Sequence, residues 1–99
     1  MKKQSITIPV GGVRFPFGHV SITTAAKQSL SPIEVADALF RHAHGDWGTV
    51  NKDDWESNDL ALYDHGRLLS TYLADDQTVF WIITEWDRTS TTILLPSDY

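Results

Sequence analysis

The sequence contains no cysteine. Disulfides, thiolate metal ligands and cysteine nucleophiles are therefore excluded, and the composition fits a reducing compartment. No apolar run approaches the ~18 residues of a membrane span, so no membrane association is expected. Met1-Lys2-Lys3 is basic, but Gln4-Ser5-Ile6-Thr7-Ile8 alternates instead of forming an apolar signal core, and a cytoplasmic location is expected. There is no internal repeat and no glycine loop of the kind that cradles phosphate, and Ser70 and Ser90 lack a nucleophile context. No cofactor is expected.

Basic residues are also scarce. Eight Lys and Arg stand against thirteen Asp and Glu, a net charge of −5. The imbalance is local. Residues 45–64 hold Asp46, Asp53, Asp54, Glu56, Asp59 and Asp64 with the single base Lys52, and the remainder balances. Clustered carboxylates repel phosphate backbones, so no direct nucleic-acid binding is expected there. They attract a basic protein surface, including one that normally holds nucleic acid. The plainer alternative is a solvated helix face.

What is present describes one small globular domain, residues 1–99, with 41% apolar residues. Residues 5–10 alternate as a strand, and Gly11-Gly12 offers a hairpin turn into Val13-Arg14-Phe15. Thr23 or Thr24 can cap a short helix through Leu30. Ser31-Pro32-Ile33-Glu34 is a capping box with proline in the first turn, and Ile33, Ala36, Phe40 and Ala43 recur at helical spacing until Gly45. Asp53-Asp54-Trp55-Glu56 reads as a second capping box, with a helix to about Asp64 and a stop at Gly66. Residues 67–74, 79–86 and 91–95 read as an antiparallel meander. Val79-Phe80-Trp81-Ile82-Ile83 lacks polar alternation, so it is the central strand, covered on both faces. The class is α+β: an antiparallel sheet with a C-terminal three-stranded meander, packed against two main helices, plus an N-terminal hairpin. An open sheet edge would allow a homodimer.

Two polar clusters stand out. His42-Ala43-His44-Gly45-Asp46-Trp47-Gly48 has the H-x-H-x-D spacing used by zinc hydrolases, which makes His42, His44 and Asp46 candidate metal ligands. Side chains two apart on a regular helix diverge by ~200°, so that reading requires the helix to end before His44. Otherwise the histidines cap a helix C-terminus. In the second cluster, Glu85 and Asp87 share a face if the strand continues, and Arg88 follows them. His42, Asp46, Glu85 and Arg88 would make a hydrolytic or phosphate-handling site if they met in space. The structural alternative is an ion pair that fixes a turn. Trp47 and Trp55 flank the acidic segment and suit a protein-binding patch, or else pack the core as Trp81 is expected to do.

The pattern Phe17-Gly18, Thr23, His42-x-x-Gly45-Asp46-Trp47-Gly48, Asn58, Gly66-Arg67-Leu68-Leu69-Ser70, Trp81-Ile82-Ile83-Thr84-Glu85-x-Asp87-Arg88 and Thr91-Thr92-x-Leu94-Leu95-Pro96 resembles a family of small bacterial and plasmid-borne proteins, labelled hypothetical or plasmid-related. The resemblance covers about residues 17–99. It implies an intracellular bacterial protein linked to mobile elements and carries no catalytic residue with it. The chain departs from that pattern at Trp55 and Trp86, where the family has a polar and a small residue. Taken together, these readings predict a protein-binding module, a mobile-element regulator or an inhibitor of a nucleic-acid-handling host system. It would dock a basic partner through Asp46, Trp47, Asp53, Asp54, Trp55, Glu56 and Asp59. The competing expectation is a small metal-dependent hydrolase or nuclease built from His42, His44 and Asp46 with Glu85, Asp87 and Arg88.

Overall fold

A computed structural model describes residues 12–99. The order is β1 (His19–Ile22), α1 (Thr24–Ser29), α2 (Pro32–Ala43), α3 (Lys52–Asp64), β2 (Leu68–Leu73), β3 (Val79–Thr84), β4 (Ser90–Leu94) and a 3₁₀ turn at Pro96–Asp98. The class is α+β, and the C-terminal meander forms as expected. The sheet is mixed, however, with strand order β1-β4-β3-β2. β1 runs parallel to β4, from His19 opposite Ser90 to Ile22 opposite Ile93. The expected first strand and glycine turn lie in residues 1–11, outside the described residues. Val13-Arg14-Phe15, expected as the return strand, is irregular; Phe15 is instead buried beside Trp47.

The helix starts follow their caps. Thr23 accepts from the Ala26 amide at 3.1 Å. Ser31 and Glu34 form the reciprocal box at the start of α2. The expected box at Asp53 is not the cap of α3: Asn51 accepts from the Asp54 amide at 2.8 Å. At the other end His65 takes the left-handed conformation (φ 61°), one residue before the glycine expected to do so.

One sheet face carries the main core. Tyr72, Phe80, Ile82 and Ile93 meet Ala26 and Leu30 and, from α2, Ala38, Val35 and Leu39. The α2 stripe expected to be buried is mostly not: Ile33, Ala36 and Phe40 are exposed, and only Ala43 is inside. β3 is central, but Val79 and Trp81 on its second face stay partly open, so its two faces are unequally covered. A second core of Phe15, Trp47, Ala61 and Leu68 joins α3 to the end of β2.

The outer edge of β2 is not open. The Asn58 amide donates to the Leu69 carbonyl (2.8 Å) and accepts from the Leu69 amide (3.2 Å), imitating a neighbouring strand. Beyond it, the Thr71 amide donates to the Trp47 carbonyl, and the Thr49 amide donates to the Thr71 carbonyl. β1, four residues long, forms the other edge. Among the described residues, no helix is long and apolar enough to cross a membrane.

Candidate functional site

The 42–48 cluster forms a corner whose hydrogen bonds are mostly internal to the protein. α2 continues through Ala43, so His42 lies inside its last turn and points into the core. Its Nδ1 is 2.6 Å from Ser70 Oγ and its Nε2 2.9 Å from Thr84 Oγ1. Thr84 Oγ1 lies 2.8 Å from Thr91 Oγ1, and Thr91 donates to the Phe17 carbonyl. A hydroxyl has one proton, so this last bond orients the chain. Thr91 accepts from Thr84, Thr84 accepts from His42 Nε2–H, and Ser70 donates to His42 Nδ1. His42 is thus a neutral Nε2–H tautomer with both nitrogens occupied. Burial, with the Arg88 guanidinium adding to it, lowers its pKa to about 3.

His44 is the C-cap of α2, and its Nδ1 donates to the Phe40 carbonyl at 2.7 Å. That is the helix-capping alternative, not a metal ligand turned toward His42. Asp46 pairs with Arg41 Nε at 2.8 Å and accepts from the Gly48 amide at 3.1 Å, which holds its carboxyl below the usual range. Among the described residues, no three His, Asp or Glu side chains gather as a metal site requires.

The catalytic constellation also fails to assemble. Thr84 and Glu85 are consecutive, and the ladder continues from the Glu85 amide to the Ser90 carbonyl, so their side chains leave opposite sheet faces. Thr84 meets His42, whereas Glu85 pairs with Arg67 at 3.4 Å. Asp87 does not continue the strand; it sits in the turn and accepts from Thr89. Arg88, at φ 59°, donates to the carbonyls of Ala61 (2.9 Å), Gly66 (2.6 Å) and Glu85 (3.1 Å). Its guanidinium fastens the β3–β4 turn to the C-terminal end of α3, where a cation suits the helix dipole.

The acidic surface divides. Trp47 is 0% exposed and donates through Nε1 to Asp59 at 2.9 Å, so it is an anchor beneath the surface, not part of it. Trp55 is half-buried against the second core. Asp46 is neutralised by Arg41 and drops out of the face. Asp53, Asp54, Glu56, Asp59 and Asp64 remain exposed along α3, and none joins an ion pair among the described residues. Between them stand Leu60 and Tyr63, 65% and 79% exposed, which the sequence reading missed. Their only signal was negative: α3 carries apolar residues on more than one side. Trp86, 62% exposed, projects from the turn that Arg88 ties to the same end of α3.

Between α3 and β2 opens a cleft of about 220 Å³ lined by Asp54, Ser57, Asn58, Arg67 and Leu69. Arg67 is held by Glu85 and by the Tyr99 hydroxyl, 2.6 Å from its Nη1. Comparison with protein-family models, with curated proteins and with solved structures finds no match in any of the three.

Proposed function

We propose that this chain is a small protein-binding module that docks a basic partner protein on the exposed face of α3. The observation that carries this reading is the combination on one helix. Five exposed carboxylates without cationic partners among the described residues surround two exposed apolar side chains, Leu60 and Tyr63. Glu56, Leu60 and Tyr63 recur at helical spacing and form one stripe. Exposed aromatic and aliphatic side chains supply contact area, and the carboxylates select a positive partner and speed the encounter. Trp47 and Asp46, expected in the interface, act beneath and beside it; Leu60 and Tyr63 take that place. The resemblance to plasmid-borne proteins supports a bacterial mobile-element setting, in which a basic partner would be a nucleic-acid-handling protein that this chain regulates or inhibits.

The test is a photo-crosslinking residue at position 60 of the chain expressed in bacterial cells. A basic protein should be trapped by the otherwise wild-type chain. The triple variant Asp53→Lys, Asp54→Lys, Glu56→Lys should lose it while remaining folded, with a melting temperature lowered only by the loss of two first-turn carboxylates of α3. Equal trapping by the triple variant would contradict the reading.

A further inference from the structure

The fold seals one edge of its sheet and leaves the other open. Along β2, Asn58 and the backbone of Trp47 and Thr49 take up outward peptide groups. Along β1 no described residue does the same, and His19, Val20 and Ser21 are exposed. The parallel ladder fixes which groups of β1 face outward. The His19 amide donates to the Thr89 carbonyl and the Thr23 amide to the Ile93 carbonyl, so residues 19, 21 and 23 face β4. The N–H and C=O groups of Val20 and Ile22 therefore point away from the sheet. Open edges are commonly blunted by proline, lysine or a bulge, and His19-Val20-Ser21-Ile22 carries none of them.

Symmetry and charge favour a second copy of this chain as the occupant. The two outward residues flank Ser21. A two-fold axis at Ser21 sets Val20 opposite Ile22 of the second copy, and Ile22 opposite its Val20. Each of these pairs exchanges two backbone hydrogen bonds. The side chains agree with that register. Val20 and Ile22 stand opposite Thr91 and Ile93, on the helix-bearing face, where Ile22 already packs against the main core. The pairing covers Val20, which is 41% exposed in the single chain, with the other copy's Ile22. As to charge, residues 12–33 contain Arg14 and Lys27 and no Asp or Glu. The carboxylates beside the ends of the strand, Asp87 and Asp98, are engaged by Thr89 and Thr23. A chain of net charge −5 meets its own copy with least repulsion at this edge, whereas a basic protein is drawn to α3, beyond the opposite edge.

We infer that β1 pairs antiparallel with β1 of a second copy across a two-fold axis at Ser21, joining the two sheets into one. The pairing is short, so the dimer is weak and its population depends on concentration. Both α3 faces remain at the outer ends, and the inference stands independently of the docking reading above.

The chain has no cysteine, so single-cysteine variants report the register directly. Under mild oxidation Ser21→Cys should form a disulfide-linked dimer, because the axis brings its two Cα atoms to about 4.5 Å, within disulfide range. His19→Cys and Val20→Cys, each opposite a different residue of the second copy, should link at least about tenfold more slowly. Wild type at about 0.5 mM should sediment as a monomer–dimer equilibrium. Val20→Pro removes only an outward N–H and should sediment as a monomer with an unchanged circular dichroism spectrum. Ser21→Lys sets two like charges face to face and should also be monomeric, whatever proline does to folding. Wild type that stays monomeric at that concentration would overturn the inference. So would equal linking at positions 19, 20 and 21, the mark of random collision or of another register.

Discussion

His42 is a histidine that the fold keeps from being a base. Its pKa lies near 3, below the ordinary value of 6.5, because burial and the Arg88 guanidinium both oppose the cation. The unfolded chain therefore binds a proton that the folded chain refuses between about pH 6.5 and pH 3. Stability is fully present above pH 6.5 and falls as the pH drops through that window, by roughly 1.4 kcal/mol per unit for this one group. Between pH 6.5 and 5 the carboxylates are still ionised, so the slope belongs to histidine. Denaturant titrations of wild type should show it, and His42→Gln, whatever its absolute stability, should lose most of it; an unchanged slope would place the proton elsewhere. The nitrogen assignment is open to the same scrutiny: ¹⁵N spectra should report an Nε2–H tautomer at neutral pH. Asn58 is a second residue of this kind. Asn58→Asp keeps the shape but replaces the donor to the Leu69 carbonyl with a repelling oxygen. It should cost about 2–3 kcal/mol in chemical unfolding. Gly48, at φ +78°, passes so close to β2 that a Cβ would stand 1.9 Å from the Thr71 carbonyl oxygen. Gly48→Ala should therefore destabilise by at least about 2 kcal/mol.

Elements were readable where their signals are local. The Ser31–Glu34 box, the Thr23 cap and the apolar run of β3 announce themselves within a few residues, and all three form where expected, although the second face of β3 is only partly covered. The burial of α2 was not readable, because the helix carries two apolar faces. Ile33, Ala36 and Phe40 make as good a stripe as Val35, Ala38, Leu39 and His42, and only the sheet behind the helix decides between them. The 42–48 cluster attracted a catalytic reading because its partners are invisible at short range: Ser70 and Thr84 lie 28 and 42 residues away. The parallel pairing of β1 with β4 joins residues still further apart, and no local pattern encodes it. At this scale Arg88 is the decisive side chain, since carbonyls of α3 (Ala61), of the α3–β2 connection (Gly66) and of the β3–β4 turn (Glu85) converge on it. Arg88→Lys keeps the charge but loses the fork. It should lower stability by about 1–3 kcal/mol and raise amide exchange first at the C-terminal turn of α3.

Over the whole molecule, charge is sorted by what the fold can neutralise. Arg41 answers Asp46, Arg67 answers Glu85, and Arg88 is committed to carbonyls. The carboxylates of α3 join no ion pair among the described residues, only Asp64 lying near enough to Arg88 to act on it, and the excess read from residues 45–64 survives there without Asp46. The acidic flank was therefore legible in the sequence, whereas its apolar centre was not. Leu60 and Tyr63 look like core residues until Asn58 and Ala61 are seen to take the inward positions. An interface of this composition depends on salt, because its exposed charges are screened within about 8 Å at physiological ionic strength. The most direct measurement is the affinity of the trapped partner for wild type and for Asp53→Lys, Asp54→Lys, Glu56→Lys at low and physiological salt. The account predicts binding that weakens as salt rises in wild type and is at least about tenfold weaker in the triple variant. Equal affinities for the two proteins, insensitive to salt, would contradict it.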